Sequence, residues 1–230
     1  MSNTVIDPTK TTSIYSSEPL STGLMQQLQA LFYGLNTEVK ALSQLSESLS
    51  DTISVVVTDR LECFDGFAAE AVNCLILIVP QSLNVPSTGQ FSTAVIYKRS
   101  DDETIAVALE KIFSSLIKFT VMSTAYLDTL DINSCLQFRN HRYLNVFHGS
   151  FERLEYLSNG ENFISQLTQN DSIMITINTQ TSCTKESYRI LEPVLKHLGE
   201  DFDAEIFWGC QSHEHLKQNT DFYILQSTVA

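Results

Sequence analysis

The stretch Thr104–Tyr126, TIAVALEKIFSSLIKFTVMSTAY, constrains the fold more than any other part of the chain. Ile105, Leu109, Ile112, Leu116, Phe119, Met122 and Tyr126 recur at steps of three or four with neither glycine nor proline among them. That is the pattern of a helix that buries one face. The spacing predicts about six turns, roughly 35 Å at 1.5 Å per residue, enough to run the length of a domain. Asp101, Asp102 and Glu103 stand just before it, where the positive end of a helix dipole favours carboxylates. Strand-like segments lie on both sides, so the helix is expected to be the spine of the molecule.

On the N-terminal side, residues 1–22 are rich in Ser and Thr, contain Pro8 and Pro19, and read as a flexible arm. Leu24, Leu28, Leu31, Leu35, Val39, Leu42, Leu45 and Leu49 then recur at helical steps, predicting one long helix or two broken near Gly34. Ile53–Val57 is β-branched and reads as a strand; Leu61–Val72 has helix composition. Cys74–Val79, CLILIV, is a continuous apolar run closed by Pro80, as in a strand covered on both faces. Phe91–Lys98 is a further strand, so residues 23–100 are expected to be a reduced α/β part with a parallel sheet.

Beyond the helix and the loop that follows it (101–135), residues 136–230 are expected to form a second domain. Tyr143–His148 reads as a strand closed by Gly149, and Phe151–Leu167 as helical. Ser172–Asn178 alternates as a strand should. Thr184–Leu198 reads as a helix with Tyr188, Leu191, Leu195 and Leu198 on one face, bent at Pro193 and stopped at Gly199. Glu205–Cys210 and Phe222–Val229 are the last strands. The order from Tyr143 onward is therefore β-α-β-α-β-β.

Charge and composition narrow the function. A net charge of −13, with only 14 Lys and Arg and those scattered, opposes binding to nucleic acid or anionic membrane. The five cysteines, Cys63, Cys74, Cys135, Cys183 and Cys210, form no CxxC, which argues against a disulfide framework or a zinc site and fits a reduced cytoplasm. Met1–Leu20 lacks the basic start and apolar run of a secretory leader, and no apolar run is long enough for a transmembrane segment. The eight glycines in 230 residues are about half the roughly 7% of ordinary proteins, and no two are adjacent. A phosphate cradle needs glycines so that backbone N–H groups can approach the ligand, so no nucleotide cofactor is expected.

The helix, the loop after it and the order that follows resemble the second half of FtsZ, the bacterial relative of tubulin. In that family a long central helix ends in a loop reading roughly NLDFADV, followed by a strand ending in glycine; here Thr129–Cys135 reads TLDINSC and the strand reads YLNVFHG. FSTAVIYK is similar to the family's LTVAVVTKP strand, SIMITIN to VLVNITG, and AEIFWGC to ANIIFGA. The resemblance covers roughly Phe91–Val229, through short apolar motifs whose order and spacing carry it. The family's GGGTGSG loop has no counterpart; Asn84–Gln90, NVPSTGQ, offers one glycine and a proline.

The resemblance implies a tubulin/FtsZ-like α/β protein that has lost its phosphate cradle, a pseudo-GTPase working through protein contacts: self-association, or a cytoskeletal polymer as partner. GTP binding is not expected. In the family, the loop after the central helix enters the next subunit, and two acids help position water against the nucleotide. Asp131 matches the first acid, Thr129 stands in place of the family's Asn, and Ser134 in place of the second acid. Asp131 is thus either the remnant of a GTPase site, completed by a neighbouring subunit, or a solvated loop carboxylate.

Other residues also leave alternatives open. Arg139, His141 and Arg142 form the one local basic cluster; they anchor a carboxylate on a partner or on the chain itself. Trp208, beside Phe207, is a core residue or, if it faces outward, an interface anchor. His213 and His215 could take a metal with His148, or be solvated loop histidines; no fixed-spacing motif supports a site. Three classes of function follow: a non-enzymatic interaction or assembly protein, which leads; a divergent polymerising GTPase using Asp131; and a sensor with a small-ligand pocket.

Overall fold

The computed structural model describes residues 12–16, 22–23, 26, 37–41, 53–64, 74–87, 91, 94–122, 135–136, 143–150, 172–179, 185, 188, 191–192, 195–196, 206–212 and 221–228. They form a mixed α/β protein that divides between Glu110 and Lys111 into two compact units. The division falls inside the long helix, α1 (Ile105–Met122), rather than at its start.

The first unit contains five parallel strands: β1 (Thr12–Ser16), β2 (Thr37–Ala41), β3 (Ile53–Val57), β4 (Leu75–Pro80) and β5 (Ala94–Arg99). Their order is β2-β1-β3-β4-β5, which agrees with the expected parallel sheet. The apolar run of β4 is buried from Leu75 to Val79, as a central strand covered on both faces requires. Ladder bonds continue past the strand ends, from Thr58 N to Ile78 O at 3.1 Å and from Gln81 N to Arg99 O at 2.9 Å. Phe64, in the 3-10 turn Glu62–Phe64, meets Phe91 edge-on with centroids 5.2 Å apart.

Two expectations for this unit are corrected. Residues 12–16 belong to the segment read as a flexible arm, yet they form β1, whose Ile14 and Tyr15 are fully buried. Pairing on both sides, Ile14 with Val39 of β2 and Val55 of β3, outweighs the Ser- and Thr-rich composition. The helical stripe from Leu24 to Leu49 is likewise interrupted: Thr22, Gly23 and Gln26 are helical, but Thr37–Ala41 is β2. Ladder bonds to β1 decide there between two periods that a short apolar run cannot distinguish.

Helix α1 starts as its sequence dictates. Thr104 caps it, Oγ1 accepting the Val107 N–H at 3.3 Å and its carbonyl accepting the Ala108 N–H at 3.0 Å. Ala108, Leu109, Ile112 and Ser115 form its buried stripe, the face the spacing predicted, while Val107 on another side is exposed.

The second unit contains β6 (Tyr143–Ser150), β7 (Ser172–Thr179), β8 (Ile206–Ser212) and β9 (Asp221–Thr228). They lie where the sequence placed strands, except that β6 runs through Gly149 instead of ending there. The order is β6-β9-β7-β8; β9 is antiparallel to both β6 and β7, and β7 is parallel to β8. Lys185, Tyr188, Leu191, Glu192, Leu195 and Lys196 are helical, as expected between β7 and β8.

Thr176 Oγ1 of β7 donates to the carbonyl of Ser115 at 3.1 Å, which identifies the α1 side of these strands. Its paired neighbours share that face: Tyr223 on β9 and Gly209 on β8. Ile173, Ile175 and Ile177, all fully buried, face the other way. Cys135 and Leu136 are helical and buried, and Ser227 Oγ donates to the Leu136 carbonyl at 3.3 Å. Among the described residues no helix is long and apolar enough to cross a membrane.

Candidate functional site

In an open parallel sheet, ligands bind outside the carboxyl ends of the strands, where the strand order reverses. Here that point lies between β1 and β3. After β3, Thr58 Oγ1 accepts the Arg60 N–H at 3.1 Å and donates to the Arg60 carbonyl at 2.7 Å, so the turn satisfies itself. Arg60 pairs with Asp59 at 3.4 Å, both exposed. After β1 the sequence reads Ser17-Glu18-Pro19-Leu20. A carboxylate and an imide without N–H are poor partners for phosphate, and glycine is absent.

The turn from β5 into α1 is an organised polar feature of this unit. Tyr97 Oη donates to the Glu103 carboxylate, 3.0 Å from each oxygen, and both residues are buried. Arg99 donates from its guanidinium to the Glu103 backbone carbonyl. Ser100 Oγ donates to Asp102 at 2.7 Å on the outside of the turn. Burial, then the Glu103 charge and hydrogen bond, push the Tyr97 hydroxyl well above its usual range. Of the three acids expected to face the helix dipole, Glu103 therefore turns inward instead and ties strand to helix.

The second unit presents a different surface. Trp208, on β8, is 40% exposed and paired with Ile175, so it lies on the face away from α1. The reading of Trp208 as core is corrected: its side chain is exposed, on a strand that among the described residues pairs only with β7. Tyr188 and Leu195, which the sequence placed on one face of the helical segment between β7 and β8, are 68% and 51% exposed. His148 is exposed and stacks on Tyr223, ring centroids 4.4 Å apart. Asn145 Nδ2 donates to Gln226 Oε1 across β6 and β9 at 3.2 Å.

The remaining expected site residues, Asp131, Arg139, His141 and Arg142, lie outside the described residues, as do His213 and His215. Among the described residues no group of His, Cys, Asp or Glu could hold a metal ion. Cys74 and Cys135 are buried and in no disulfide, and burial pushes the Cys74 thiol up to about 12, as in an inert apolar filler rather than a nucleophile. The Tyr97–Glu103 pair escaped the sequence reading, although six residues separate the two in one strand-turn-helix segment. The charges around Tyr188 and Leu195, among them Lys185, Glu192 and Lys196, were the available sign that these two side chains are exposed.

No family model matches the chain, and no curated protein matches it.

Proposed function

We propose that the protein is a non-enzymatic interaction or assembly protein of tubulin/FtsZ-like type, a pseudo-GTPase of the cytoplasm. It works through protein surfaces, by self-association or on a cytoskeletal polymer. The single observation that carries the reading is Trp208, a large aromatic side chain left 40% exposed on a strand that has no charge of its own and that ends its row among the described residues. Aromatic residues of this kind are the usual anchors of protein interfaces. The tubulin/FtsZ-like part of the reading draws support from four strands that fall at the positions the resemblance requires. Its pseudo-enzyme part draws support from Glu18, Pro19 and the self-satisfied Thr58 turn, which offer phosphate little.

Thermal unfolding with and without GTP or GDP and Mg²⁺ tests the reading. A nucleotide at 100 times its Kd adds about 2.7 kcal/mol of stability, several degrees in Tm, whereas no shift is expected here. GTP hydrolysis lost on Asp131→Ala would overturn the reading in favour of a divergent GTPase that completes its site with a neighbouring subunit.

A further inference from the structure

We draw no further inference here: the strongest candidate, the side-chain pair of Ser13 on β1 and Ser54 on β3, two fully buried hydroxyls opposite each other in register and without a hydrogen-bond partner among the described residues, carries nothing because nothing in the structure shows what covers them.

Discussion

The five parallel strands of the first unit and the four mixed strands of the second bury their middles in the same way and end differently. Leu77 in β4 and Ile175 in β7 are both fully buried. At the ends, Lys40 of β2 sits 5.9 Å above the ring of Tyr15, placing a charge on the outermost strand, whereas β8 shows Trp208 and no charge. Among the described residues, the row of parallel strands ends on a charged strand and the row of mixed strands on an uncharged one. The contrast is between an end strand that carries charge and one that carries an exposed aromatic side chain, the feature on which the proposed function rests.

The largest effect should distinguish middle from end. Leu77→Ala removes a fully buried side chain of β4 and should cost about 2–5 kcal/mol in denaturant unfolding. A cost at Trp208 as large as at Leu77 would erase the contrast between middle and end.

Next comes the tie between β5 and α1. Tyr97→Phe removes the donor to the buried Glu103 carboxylate and should cost about 1–3 kcal/mol. The same pair gives a pH signature. Because the folded-state value of Tyr97 lies above its unfolded one, its contribution is complete below about pH 10 and is lost as the pH rises beyond that. Urea midpoints measured from neutral to strongly alkaline pH should fall at the alkaline end, less so in Tyr97→Phe. An unchanged alkaline slope in the variant would remove Tyr97 from the account.

Thr176→Val, which deletes the bond from β7 to the Ser115 carbonyl, should lower stability by about 1 kcal/mol. A neutral result would mean that apolar packing alone holds α1 to this face. Smallest of all, Trp208→Ala should change stability by less than about 1 kcal/mol, as surface substitutions do.

Much of this organisation is legible in the sequence because the strongest signals are local. CLILIV admits few structures other than a buried strand, and Ala108, Leu109, Ile112 and Ser115 fall on one side of any helix through that segment. Where local pattern and long-range pairing disagree, pairing prevails: TSIYS and TEVKA become neighbouring strands because each finds a ladder partner far along the chain. The candidate surface was half legible. Trp208 stands out as the only tryptophan, but whether it faces core or solvent depends on the place of β8, last in its row among the described residues, a property of topology that no period reveals. Glu103 reads as a helix-dipole charge until Tyr97 folds back beside it.

Mass photometry or light scattering on the purified protein, over a range of concentrations with and without GTP and Mg²⁺, tests the central claim most directly. The account predicts the same distribution of species in both conditions, set by protein concentration and protein partners alone. Assembly that appears only with GTP would contradict it, and would mean that a phosphate site operates in this chain without the glycines such sites ordinarily need.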